Sequence, residues 1–146
     1  MFRALVLVLF LTACNTTAAA PPTVTSPTVT KISWELGHLV TVGFGCKSEE
    51  AVLRLVEGDK AGKAVGAMLF NTLKAEGVCG FFLGPKGKME VIGEVIELGI
   101  IYNDFTGNPT QVLKLELKSG DGGTFQFYTM QYTSDAEKAR KIGYSI

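Results

Sequence analysis

Few of the chain's 146 residues are suited to chemistry, and their types and spacing limit which reactions are open to it. His38 is the single histidine. A serine or cysteine triad would have to be built on it, and a zinc site would lack the clustered His/Cys spacing such sites use. Its place in an alternating stretch predicts a surface or half-buried structural role on a strand. Cys46 and Cys79 are too far apart for a Cys-X-X-Cys redox pair. Among the acids, Glu90, Glu94 and Glu97 sit near an expected strand. Asp104 and Asp121 fall in expected loops where they could meet, and two carboxyls converging at roughly 5 to 10 Å would suit a small hydrolase of the glycosidase kind. Acids on strand faces and in glycine-rich turns more commonly solubilise the surface and form the turn. Gly120-Asp121-Gly122-Gly123 is not a phosphate loop, because neither a helix nor a Lys-Ser/Thr pair follows it. The expectation is therefore no enzyme, no cofactor and no metal.

Aromatic residues are more promising as contacts. Phe81, Phe82, Tyr102, Phe105, Phe125, Phe127, Tyr128, Tyr132 and Tyr144 crowd the second half of the chain. Core packing accounts for most of them, but half of any alternating set points away from the core. Phe105 and Tyr128 are the expected exposed contacts: one lies in a loop, and the other opposes the Phe125/Phe127 face.

The elements that must position these residues follow from local patterns. Ile32, Trp34, Leu36, Val40, Val42 and Phe44 alternate, which predicts one or two strands bent near Gly37. Ser48 then precedes Glu49-Glu50 and the run Ala51, Val52, Leu55 and Val56. This predicts a capped helix with acids in its first turn, where the helix dipole favours them. A second helix is expected from about Lys63 to Glu76, with Val65, Met68, Leu69 and Leu73 on its buried stripe and Gly77 as its stop. After Gly77 strands and turns are expected: Val78–Leu83, a turn at 84–87, and Lys88–Leu98 with a bulge at Gly93, continuing through Ile100-Ile101-Tyr102. Leu113, Leu115 and Leu117 alternate with Lys114, Glu116 and Lys118. Ser119–Gly123 then turns the chain into a partner strand, Thr124–Met130. Ser134-Asp135-Ala136-Glu137 matches a capping box, predicting a brief helix from Asp135 to about Lys141.

Strand, helix pair, antiparallel β-meander and short C-terminal helix make an α+β order. A small curled SH3-like half-barrel with the helices on its side satisfies it. The domain faintly resembles small, poorly characterised exported bacterial and phage domains, in which a cysteine opens a helix and another precedes a β-meander; that resemblance implies no activity.

Composition sets the outer limits. One ordinary domain fits the length, and 47% hydrophobic residues suit a packed core, though part of that figure comes from the apolar first dozen residues. Basic and acidic residues balance at 14 each, so no surplus of cations exists to release counterions from nucleic acid.

The amino terminus carries the most specific pattern. Arg3 supplies a positive start, and Ala4–Leu11 is an unbroken apolar run. Eight helical residues rise only about 12 Å against a hydrocarbon core of about 30 Å, so the run reads as the apolar part of a signal peptide rather than a permanent span. Leu11-Thr12-Ala13-Cys14 follows directly and resembles the lipobox of bacterial lipoproteins. That resemblance implies a diacylglycerol thioether on the Cys14 thiol, cleavage before Cys14 by a dedicated peptidase and acylation of the new amino group. Each buried methylene adds about 0.8 kcal/mol, so two or three chains would hold the protein on a bilayer. Asn15, where the family's inner-membrane retention signal has Asp, implies outer-membrane sorting facing the periplasm if the cell is Gram-negative. Asn15–Thr30 has no charge, no aromatic residue and three prolines, the composition of an extended linker. The expected organisation is a signal peptide at 1–13, a lipidated cysteine and Thr/Pro/Ala linker at 14–30, and one globular domain at 31–146.

With Cys14 lipidated, Cys46 and Cys79 remain as an even pair in an oxidising compartment, which predicts a disulfide; the alternative is two separate buried thiols. The function expected is a membrane-anchored, non-catalytic binding or accessory module of the cell envelope. Its expected partners are the bilayer through acylated Cys14, and an envelope protein or cell-wall polymer. The rivals are a phage or prophage lipoprotein that blocks a surface receptor, and a small carboxylate hydrolase.

Overall fold

The computed structural model describes residues 19–20, 32–84 and 87–142. Cys14 with its lipobox, Tyr144, and the linker apart from Ala19 and Ala20 lie outside the described residues. The chain divides at Thr30/Lys31 into two units, of which the second contains every described helix and strand.

That unit is α+β: a seven-stranded antiparallel sheet with two helices packed against it. β1 (His38–Val42) and β2 (Phe44–Cys46) are joined by Gly43 alone and lead to α1 (Glu49–Ala61) and α2 (Lys63–Ala75). β3 (Cys79–Phe81) precedes a meander of β4 (Val91–Asn103), β5 (Pro109–Lys118) and β6 (Thr124–Tyr132), and β7 (Arg140–Lys141) ends the sheet. The strand order is β3-β2-β6-β5-β4-β1-β7.

This order makes the sheet roll. β1 and β2 stand four ladder steps apart, about 19 Å in a flat sheet at ~4.8 Å per strand. The two residues from Val42 to Phe44 span at most about 7 Å. The sheet must therefore curl until β4, paired with β1, and β6, paired with β2, approach the same bent segment from either side. Its edges are β3 and β7, with no further strand paired to either among the described residues. Inside the roll Val40, Val42, Val95, Leu113, Leu115 and Phe127 form one buried cluster with Trp34 and Ala136. On the other face, Ala51, Val52, Leu55 and Val56 of α1 and Leu73 of α2 cover Cys46, Cys79, Tyr102 and Val112 in a second.

Local chemistry explains both helices. The Ser48 hydroxyl accepts the Ala51 N–H at 3.2 Å, with Glu49 and Glu50 in the first turn. Gly62, at φ 135°, makes the tight joint to α2. The helices touch where Gly58 meets Gly66: a Cβ on Gly58 would sit 2.7 Å from Leu69 Cδ1 and 3.1 Å from Gly66 Cα. That contact turns α2 so that Leu69, Phe70 and Leu73 face the core, while Val65 and Met68, expected on the buried stripe, are exposed.

Three other expectations are corrected. Ile32–Leu36 is not a strand; the Trp34 N–H donates to Gln111 Oε1 at 3.1 Å, so a side chain takes the place of a ladder. The register shifts of β4 fall at Val95–Glu97 and Leu98–Ile101, whereas Gly93 sits in regular pairing with Val40. Gly99, within the second shift, lets Val112 approach to 3.0 Å of where a Cβ would stand. The C-terminal helix is a short 3-10 helix, Thr133–Lys138, without a side-chain cap, because Arg140 and Lys141 pair with β1 and pull the chain straight.

Candidate functional site

A groove of about 460 Å³ opens between the helix pair and the sheet. Six residues from five places in the chain build its apolar wall: Phe44, Phe70, Phe81, Phe105, Met130 and Tyr132. Phe44 reaches it because it alternates with buried Gly45 along β2, and Phe70 because the Gly58–Gly66 contact rotates α2 inward. Phe70 meets Phe44 edge-on at 5.6 Å and Phe81 at 4.8 Å between ring centroids. Phe105 and Phe81 keep 49% and 52% of their surface exposed, far more than a packed ring retains.

The loop that presents Phe105 is held by Asp104. One carboxylate oxygen, Oδ1, accepts the Thr106 N–H at 2.8 Å, the Thr106 hydroxyl at 2.6 Å and the Asn108 N–H at 2.9 Å. The Thr106 hydroxyl, assisted by the two amides, holds the Asp104 carboxyl below its ordinary pKa. Gly107 completes the turn at φ 86°. The Phe105 N–H donates to the Asp59 carbonyl at 3.1 Å, fixing the loop to α1. Phe105 thus projects from an ordered turn.

Asp59 and Lys63 supply the charged part of the lining. Asp59 Oδ2 accepts from the buried Tyr102 hydroxyl at 2.8 Å. Burial, reinforced by the Asp59 bond, pushes the Tyr102 phenol well above its usual range. Burial and the neighbouring Asp104 charge raise Tyr132 as well. No buried side-chain nitrogen or oxygen among the described residues lacks a hydrogen-bond partner. The groove therefore offers apolar surface and aromatic edges, with few free polar groups.

The expected site residues fare unequally. Cys46 and Cys79 are bonded, with Sγ atoms 2.11 Å apart, joining β2 to β3. Phe105 is exposed as expected. Tyr128 is not: it is half-buried against the helix-side cluster and has the Lys114 ammonium 5.4 Å from its ring. That hydroxyl-bearing ring raises the Lys114 pKa. The reason is that α1 covers this face of β6. Tyr128 does not line the groove.

Asp104 and Asp121 do not meet. They flank the ten residues of β5, which extend about 33 Å. Asp121 accepts the Gly123 N–H at 3.0 Å within its own hairpin turn. Glu97 pairs with Lys114 at 3.6 Å, and Glu94 lies in register between Leu39 and Glu116. His38 is half-buried at the start of β1, where its Nδ1 accepts the Glu35 N–H at 3.3 Å and its ring stands edge-on to Trp34. Among the described residues no three His, Cys, Asp or Glu side chains cluster as metal ligands, and no helix is long and apolar enough to cross a membrane.

Sequence reasoning missed Phe44, Phe70 and Met130 as groove residues, and treated Phe81 and Tyr132 as members of a general aromatic set. Phe44, Phe81 and Tyr132 stand at the ends of their strands, whereas Phe70 lies mid-helix and Met130 within β6, and local periodicity does not distinguish any of these positions from core. In comparison with known proteins, the chain matches no family model, no curated protein and no solved structure.

Proposed function

We propose that the chain is a lipid-anchored envelope protein, attached through Cys14, whose domain is a non-catalytic binding module with the aromatic groove as its contact surface. The observation that carries this reading is Phe105, held half-exposed on an ordered loop beside an apolar concavity. Rigid aromatic anchors beside a pocket contribute most of the affinity of protein contacts. Apolar side chains of an envelope protein suit the groove better than a wall polymer, whose hydroxyls and amides need polar partners that the lining supplies sparingly.

The test is photo-cross-linking from position 105 in intact cells of the native host. The expected result is one discrete protein adduct that disappears when Phe70→Ala is added. Labelling at 105 no stronger than at exposed Lys138 overturns the binding role. Membrane attachment is tested separately with Cys14→Ala, which should release the protein or leave an uncut precursor; a fully processed and membrane-bound variant overturns the anchor.

A further inference from the structure

β3 closes one end of the sheet: it pairs with β2 on one side, and among the described residues no strand pairs with the other. Two bonds fix which of its main-chain groups point outward. Lys47 N–H donates to Val78 O at 2.8 Å, and Phe82 N–H donates to Gly43 O at 2.9 Å. Antiparallel ladders alternate hydrogen-bonded and non-bonded pairs, so Gly80 bonds toward Gly45 while the N–H and C=O groups of Cys79 and Phe81 point away from β2. Sheets commonly blunt such an edge with a charge, a proline or a bulge. Cys79-Gly80-Phe81 carries none of these.

Both faces beside this edge are apolar and hollow. On the helix face, Phe81 closes the end of the groove, its ring tilted against that of Phe70 and with the Lys74 ammonium 5.2 Å away. On the opposite face, a Cβ at Gly80 would meet nothing within 4 Å. Over it lies a second hollow of about 160 Å³, walled by Phe82, Phe125 and Phe127. The facing glycines make this space, and Gly45 could not be larger, since a Cβ there would collide with the Phe127 ring.

We propose that the domain recognises an extended peptide segment of its partner, which adds to the free edge of β3 as a further strand. Successive side chains of a strand point to opposite faces. Alternate residues of the added segment would enter the groove past Phe81, and those between would fill the hollow over Gly80 beside Phe125. Main-chain bonding supplies affinity and the two hollows supply selectivity for apolar side chains at alternate positions. A glycan or a lipid lacks the repeating N–H and C=O groups this edge requires. The inference rests on the binding-module reading and names its partner class.

The experiment uses the full chain with its disulfide intact and, as probe, a displayed library of random linear peptides. Enriched sequences should carry apolar residues at every second position. In a synthetic copy, N-methylation of the alternate amides that face β3 should weaken binding about tenfold or more, and methylation of the amides between should not. The Cys79 and Phe81 amides should exchange hydrogen about tenfold more slowly in the complex. A peptide that binds with protection confined to α2 and the Phe105 loop overturns strand addition and leaves the binding module standing. Failure to enrich any sequence also overturns strand addition, while cross-linking from position 105 decides the binding module independently.

Discussion

The Asp59 carboxylate receives a 2.8 Å hydrogen bond from the Tyr102 hydroxyl, tying the last turn of α1 to the end of β4 beside the groove. The same residue's carbonyl holds the Phe105 N–H, so one helical residue fastens both the end of β4 and the loop. Tyr102→Phe deletes the hydroxyl and keeps the ring's packing. A hydrogen bond to a half-buried carboxylate is worth about 1 to 2 kcal/mol, and urea unfolding should show a loss of that size with an unchanged slope. An unchanged midpoint would mean the bond contributes nothing to holding α1 on the sheet.

Acid should weaken the Phe105 loop through Asp104. Its folded pKa is depressed, chiefly by the Thr106 hydroxyl, so its stabilisation is present above the unfolded aspartate value of about 3.9 and is lost as pH falls through the lower folded value. The thermal midpoint of the native chain should exceed that of Asp104→Asn by its full margin near about pH 6, and the margin should shrink below about pH 4. Equal margins at both ends of a pH series would rule out this linkage.

Removing the disulfide should cost far more than either change above. Cys46 and Cys79 close a loop with a sequence separation of 33, for which chain-entropy arguments give about 3 to 4 kcal/mol. The Cys46→Ser/Cys79→Ser pair should lower the denaturant midpoint accordingly, and reductant should do the same to the native chain. A doubly substituted protein as stable as the parent would show that the helix-side core holds β2 and β3 together unaided.

Phe105 and Tyr128 should separate binding from folding. Phe105→Ala removes a half-exposed ring and should change stability by less than about 0.5 kcal/mol while abolishing the cross-linked adduct formed from another groove position such as Phe81. Tyr128→Ala opens space beneath Lys114 and beside the helix-side cluster, and should cost about 2 to 3 kcal/mol. The opposite ranking in calorimetry would overturn the assignment of Phe105 as a contact and Tyr128 as packing.

Much of the architecture was legible in the residues themselves. Ser48 with Glu49 and Glu50 starts α1, Gly77 at φ 71° ends α2, and the Leu113–Lys118 alternation with Ser119–Gly123 makes the hairpin. In each case the deciding hydrogen bond or dihedral lies within a few residues of the pattern that encodes it. The Cys46–Cys79 pairing was expected by count once Cys14 was assigned to lipid, and the structure supplies the geometry.

Contacts between distant residues were not legible in this way. Periodicity placed Val65 and Met68 on the buried side of α2, but the Gly58–Gly66 contact chose the neighbouring stripe. Composition allowed Asp104 and Asp121 to meet, and the length of β5 keeps them at opposite ends. Alternation made Tyr128 an outward residue until α1 covered its face. By itself the sequence determined the helices and the hairpin, because those depend on local dihedrals and local hydrogen bonds. Only the tertiary structure decided the groove, the buried face of each element and the open edge of β3, because these depend on how a one-residue link at Gly43 rolls the sheet and brings residues from 44 to 132 onto one surface.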